Sequence, residues 1–148
     1  MASTLNFYNS WKNFMPSDPI DVNSSTFKLS LHTSTYVPNV ATDTVFANAT
    51  NELATANGYT AGGSTLTGVT YTQSGATCTW TAANVVWTAS GGSIVARYAV
   101  LRASGTFNGH VDPLVAYILM DTTPADVTTT TGNTLTIQWN GSGIWQLV

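Results

Sequence analysis

Charge is what this chain has least of. Asp, Glu, Lys and Arg make up 7% of its 148 residues, against roughly 25% in an average globular protein. Lys12, Lys28, Arg97 and Arg102 are its only Lys and Arg residues, they are scattered, and the net charge is −3. No basic patch to neutralise phosphates is expected from them, hence no nucleic-acid partner. Cysteine is nearly absent as well. Cys78 stands alone, which excludes an internal disulfide framework and a zinc site built on thiolates. Threonines flank it and nothing nearby would lower its pKa, so a buried structural thiol is expected. No apolar run approaches the ~20 residues of a membrane helix, so no membrane partner is expected. The opening Met-Ala-Ser-Thr-Leu-Asn lacks a basic stretch followed by an apolar one, so no signal peptide is expected either. The expectation is a soluble protein made in a reducing cytoplasm. The sequons at Asn23, Asn48 and Asn140 fall within chance for so Ser- and Thr-rich a chain.

Hydroxyls, amides and aromatic rings stand where the charges are missing. Hydrophobic residues make up 43% of the chain, with five Trp, six Tyr and five Phe, enough for a sizeable core in one domain over residues 1–148. Threonine suits a pleated, half-buried surface. It also suits a surface that ends up packed against something, where each desolvated charge would be expensive.

The two most apolar stretches, 94–101 and 111–120, flank the turn-forming run Arg102-Ala-Ser-Gly-Thr-Phe-Asn-Gly109. Both have apolar residues on both faces of a period-two element, as a strand covered on both sides does. Pro113 cannot donate to a ladder, so the second strand starts at or after it. The pair reads as a central hairpin with the other elements layered around it. Residues 5–15 place Leu5, Tyr8, Trp11 and Met15 at helical spacing, with Ser3 or Thr4 as cap and Pro16 as stop. A short helical segment over 1–16 is therefore expected. It either plugs one end of the core or offers Phe7, Tyr8, Trp11 and Phe14 to a partner, with Trp11 as the anchor. Residues 16–25 form a turn-rich connection. Residues 26–32 alternate, with Phe27, Leu29 and Leu31 inward and Lys28, Ser30 and His32 on a wet face. Residues 42–56 have Phe46, Ala49 and Leu53 on one helical face, with Asn57-Gly58 as a left-handed stop, and are expected to form a short helix. From Thr65 onward the pattern is all β, with a hairpin turn at Gln73-Ser-Gly-Ala76 and Leu135, Ile137 and Trp139 facing the core. About seven strands at this spacing predict a mainly β chain. The expected fold is an antiparallel β-sandwich, jelly-roll or immunoglobulin-like, with one or two short helices near the N-terminus.

Catalytic chemistry has few places to reside. His110 and Asp112 stand two apart, which on a strand would put them on one face, but a metal wants three or four ligands. A solvated hairpin tip at 107–111 accounts for them better. The other carboxylates sit singly in loops. No catalytic, cofactor-binding or metal-binding residue is assigned, and no enzyme activity or cofactor is expected.

Taken together, several stretches give the chain a likeness. They are Asn6-Phe-Tyr-Asn-Ser-Trp-Lys-Asn-Phe14, Thr26-Phe-Lys-Leu-Ser-Leu-His-Thr-Ser-Thr-Tyr-Val-Pro-Asn39, Asn57-Gly-Tyr-Thr-Ala-Gly-Gly63, Ala82-Ala-Asn-Val-Val-Trp87, Ala96-Arg-Tyr-Ala-Val-Leu101, Pro113-Leu-Val-Ala-Tyr117 and Leu135-Thr-Ile-Gln-Trp-Asn140. In this arrangement the chain resembles small virion structural proteins of tailed bacteriophages. The resemblance carries across no functional residue. It implies a capsid decoration (cement) protein on the virion surface, made in the host cytoplasm, with the major capsid protein as partner and a homo-oligomeric state, trimer or dimer. A tail or fibre component with a carbohydrate-binding β-sandwich is the alternative, with Trp87, Trp139 and Trp145 as candidate stacking rings. The chain departs from the resemblance in carrying fewer acidic residues along its turns than such proteins would lead one to expect.

Overall fold

The chain begins with a strand, not a helix, among the residues 3–17, 20–123 and 125–148 that the computed structural model describes. Met1, Ala2, Asp18, Pro19 and Pro124 lie outside the described residues, and with them parts of the N-terminal segment and of the connection expected from sequence. Strand β1 (Thr4–Phe7) pairs antiparallel with β11 (Leu114–Leu119), Leu5 opposite Ile118 and Phe7 opposite Ala116. This corrects the single helical segment expected over 1–16. Leu5 and Phe7 also alternate, and pairing with a buried strand satisfies backbone groups that a first helical turn leaves open. Only from Asn9 does the 3.6-residue spacing take over, in α1 (Asn9–Ser17), which buries Trp11 and Phe14 and carries Pro16 in its last turn.

Strand β2 (Phe27–His32) follows. The helix expected over 42–56 is absent; a single 3-10 turn, Phe46–Asn48, stands in its place. The reason is local competition by side chains. Asn48 Oδ1 accepts hydrogen bonds from the backbone N–H groups of Thr44 and Val45, both at 3.1 Å. Asn51 and Asn57 adopt left-handed φ values of 57° and 55°. Asn57-Gly58 therefore makes a tight reversal between Ala56 and Tyr59, which exchange both backbone hydrogen bonds, instead of capping a helix.

The rest is strand: β3 (Ser64–Thr65), β4 (Thr70–Ser74), β5 (Thr77–Thr81), β6 (Val85–Thr88), β7 (Ile94–Ala96), β8 (Tyr98–Ala103), β9 (Thr106–Phe107), β10 (His110–Val111), then β11, β12 (Val127–Thr129), β13 (Thr134–Ile137) and β14 (Trp145–Leu147). Every pairing is antiparallel. The main sheet has the order β1-β11-β8-β2-β3; β4 and β14 flank β5, and β6–β13, β7–β12 and β9–β10 are two-stranded.

The expected central hairpin is present as β8–β11, and it is longer than expected. Below it the same two chain segments pair again as β7–β12 and then β6–β13, so residues 85–103 run antiparallel to residues 114–137 as one interrupted ribbon. The break comes at Arg97 and in the segment 121–126, where Arg97 Nε donates to Asp126 Oδ1 at 2.8 Å. Arg102, assigned to the turn from sequence, still belongs to β8.

Both faces of β8 are buried. Ala99, Leu101 and Ala103 join Phe27, Leu29, Leu31, Val115 and Ile118 in the large core, together with Trp80, Trp87, Ile94, Leu135 and Ile137 from the smaller sheets and Trp139 just after β13. On the other face Val100 and Leu114 pack with Tyr8, Tyr36 and Ala49. The wet face expected for β2 is therefore covered: Ser30 and His32 are 0% exposed. The cover is the segment 33–63, which also lines the edge of β2 beyond the two residues of β3. There Leu53 N–H donates to Leu31 O at 2.9 Å, Thr33 N–H to Asn51 O at 3.1 Å, and the Tyr59 hydroxyl accepts from Leu31 N–H at 3.1 Å.

Two substitutions test this packing. Trp11 stacks 6.5 Å from Trp80 and meets Phe27 edge-on, so Trp11→Ala should cost about 3–5 kcal/mol in urea unfolding, as large core deletions do. Gly58 has φ +87°, and a Cβ there would lie 2.0 Å from Thr88 O. Gly58→Ala should cost roughly 3 kcal/mol, from backbone strain together with overpacking.

Candidate functional site

The covered face of the main sheet gathers most of the buried polar side chains among the described residues: Ser30, His32 and Arg102. Alternation on β2 puts Ser30 and His32 side by side, and Ser30 Oγ lies 3.0 Å from His32 Nε2. His32 Nδ1 lies 2.8 Å from Thr50 O. A carbonyl can only accept, so Nδ1 carries the proton and Nε2 is free to accept from the serine hydroxyl. Desolvation, opposed by the Thr50 hydrogen bond, pulls the His32 pKa down and keeps the ring neutral. This is the donor–acceptor pattern of a serine activated by a histidine. Sequence reading missed it by assigning both residues to a wet face, although their spacing of two on a strand was available. It cannot act as a nucleophile where it stands: both residues are 0% exposed and no substrate atom can reach Oγ.

Three phenols extend the network. Tyr36 OH donates to Asp43 Oδ2 at 3.0 Å, so the 2.7 Å contact between the Tyr8 and Tyr36 hydroxyls has Tyr8 as donor. Tyr59 OH donates to Glu52 Oε1 at 2.6 Å, and the same oxygen accepts from Gly62 N–H at 2.6 Å. Desolvation raises the pKa of all three phenols, aided at Tyr36 by the Tyr8 contact and at Tyr59 by Glu52. Arg102 completes the layer. Its Nη2 donates to Gly62 O at 2.9 Å, its Cζ lies 3.6 Å over the Phe46 ring and its Nε is 3.6 Å from Asp112 Oδ2. Burial lowers its pKa and Asp112 opposes that shift. Each group ties the segment 33–63 to the sheet, so the network is a clasp for the cover.

His110 and Asp112 are not held as an acid–base pair on one strand face. Asp112 has φ 50°, which ends β10 and breaks the period-two geometry. Its Oδ1 accepts from Gly105 N–H at 2.7 Å, while the His110 ring lies against Phe14 with centroids 4.2 Å apart. Among the described residues no three or more of His, Cys, Asp and Glu gather as metal ligands would. Cys78, expected to be buried, is half-buried beside Tyr71. No helix among the described residues is long and apolar enough to cross a membrane.

Two of the three aromatic candidates lie in the interior. Trp87 and Trp139 are buried, and Trp139 Nε1 donates to Ala83 O at 3.1 Å. Trp145 is half-buried, its ring 5.2 Å from that of Tyr71. The large hydrophobics exposed among the described residues are all aliphatic, so no pair of coplanar rings is offered to a sugar. Of the N-terminal set, Tyr8, Trp11 and Phe14 are buried and Phe7 is half-buried. Of the two readings open from sequence, the structure has this segment closing the core.

What the chain does offer to a partner is a surface without charge. No residue from 53 through 96, nor from 127 through 148, is Asp, Glu, Lys, Arg or His. All of β3 to β7 and β12 to β14 fall in those two stretches. With Trp80, Trp87, Ile94, Leu135 and Ile137 turned to the core, alternation turns Thr72, Thr79, Val86, Thr88, Val95, Thr128, Thr134 and Thr136 the other way. The outward side of these strands is hydroxyl and methyl, with no ionised group. Sequence reading found the excess of threonine but not that it falls on the outward face of each of these strands, which depends on which residues each strand turns to the core.

No protein-family model matches the chain, and neither a curated protein nor a solved structure shows significant similarity to it.

The His32 clasp makes stability depend on pH. A folded pKa below the unfolded one means that the unfolded chain binds the extra proton, so stability is full above about pH 6.5 and falls as pH drops toward the folded value. The loss should reach at most about 1.4 kcal/mol per pH unit. In thermal melts from pH 7.5 to 5, His32→Gln should be less stable at neutral pH and should lose this slope.

Proposed function

We propose that the chain is a non-enzymatic virion structural protein folded as an antiparallel β-sandwich. In this reading it is a capsid decoration protein that binds the major capsid protein on the outside of the shell, as a homo-oligomer. The observation that carries the proposal is the uncharged Thr and Val surface on the outward side of β4 to β7 and β12 to β14. Such a surface is soluble through its hydroxyls and loses little on desolvation. It therefore fits an interface whose centre is depleted of charge. Many copies on a repeating shell supply avidity, so no single contact need be strong. The sealed Ser30–His32 pair supports a structural role over a hydrolytic one. The buried indoles likewise favour the capsid over a sugar-binding tail or fibre.

Mass spectrometry of purified virions should find the chain in copy numbers comparable with the shell protein; a few copies per particle would place it at the tail or vertices. Thr72→Glu with Thr88→Glu changes two exposed outward positions and should shift stability by no more than about 0.5 kcal/mol. The same pair should lower the number of copies bound to shells at least tenfold, and unchanged binding would remove the surface from the interface.

A further inference from the structure

One edge of the main sheet is covered and the other is bare. Along β2 the segment 33–63 supplies side-chain and backbone partners past the end of β3. Beyond β1 no backbone hydrogen bond is made by the outer edge of Thr4–Phe7 among the described residues. β1 is short but carries no lysine, proline or bulge to protect its edge. Next to it the core is open. A cleft of about 530 Å³ lies between β1 and β13, walled by Leu5, Ile118, Met120, Leu135, Ile137 and Trp139. Among the described residues β13 pairs only with β6, so its outer edge is bare too. Ile118, Met120, Leu135, Ile137 and Trp139 keep 5–9% of their surface exposed and Leu5 is only half-buried, whereas Leu29, Leu101 and Val115 keep 0%. Among the described residues no ionisable side chain lines the cleft, so an uncharged, apolar occupant suits it.

The same chain carries a segment of that chemistry. β14 is an edge strand without charge, and Leu147 on it is 57% exposed. Its pairing with β5, Trp145 opposite Trp80 and Leu147 opposite Cys78, holds it in place, so it cannot turn back into its own cleft. We propose that the cleft between β1 and β13 receives the β14 edge of a second copy. Leu147 enters the apolar wall while the incoming strand pairs with the bare edge of β1, a strand addition. The contact is head-to-tail: each copy uses its cleft on one neighbour and its β14 on another, which closes into a ring when the rotation allows. This rests on the homo-oligomer of the reading above and names the surfaces that build it. It is read without the virion, so a monomer that still decorates capsids would sink this contact and the homo-oligomer while leaving the capsid-binding part of that reading intact.

The test is solution mass by sedimentation equilibrium from 1 to about 100 µM, using the full chain. The native chain should exceed its 15.6 kDa monomer mass. Ser3→Lys with Thr136→Lys charges the cleft rim at two exposed positions, and Leu147→Asp charges the incoming strand. Each should weaken association on the order of 100-fold, as a charge left unpaired in an interface does, with unchanged melting temperature. If the double lysine variant melts early, Gln138→Lys at the same rim replaces it. An equimolar mixture of cleft-blocked and strand-blocked chains retains one intact cleft and one intact strand. It should form a species of two chains and nothing larger. A monomeric native chain, a variant that keeps the native mass, or a mixture that stays monomeric would each overturn the proposal.

Discussion

The antiparallel pairing of β8 with β11 is the contact on which the other layers depend. Every residue of β8 from Ala99 to Ala103 is buried, so the strand can exist only with both of its faces covered at once. One cover is the large core against the smaller sheets; the other is the segment 33–63. Because the same two chain segments continue as β7–β12 and β6–β13, the register set at Leu101 and Ala116 extends toward the second set of sheets. A slip of one residue would send Leu101 to the clasp and Arg102 into the large core.

The clasp shows how polar groups are used inside a chain with so few charges. Ser30, His32, Tyr8, Tyr36 and Tyr59 are held to Thr50, Asp43 and Glu52 by short hydrogen bonds. Burial raises the cost of leaving any of them unpaired, and satisfied networks of this kind fix one arrangement among several apolar alternatives. A cover made of loop, with one 3-10 turn as its helical part, needs that specificity. Its apolar contacts alone, such as Phe46 and Ala49 on Val100 and Leu114, would allow it to slide.

Much of this was legible in the sequence, and the failures share a cause. The central hairpin and the inward rows Phe27, Leu29, Leu31 and Leu135, Ile137, Trp139 follow from period two, and the β4–β5 turn from Gly75, which adopts φ 60°; both are local properties. At Leu5 and Phe7 two periods fit the same residues, and only the availability of the β11 edge decides for a strand. Residues 42–56 had the spacing of a helix, but Asn48, Asn51 and Asn57 hold the backbone in turns. Ser30 and His32 were legible as the second face of β2; that this face is covered depends on a loop whose path no pattern encodes. The lack of charge in β4 to β7 and β12 to β14 was visible as composition, and was placed on outward faces only by the pairing of those strands over the core.

The scarcity of charge has a consequence for how this protein responds to its surroundings. Ionic strength acts on a contact through the charges it screens, and the outward strands have none to screen. Simple salt is therefore a poor lever on whatever this surface binds. Temperature is a strong one, because contacts between methyl and hydroxyl groups draw on the hydrophobic effect, which weakens on cooling. An assembly built from these strands would hold through a large change of salt between two environments and loosen in the cold.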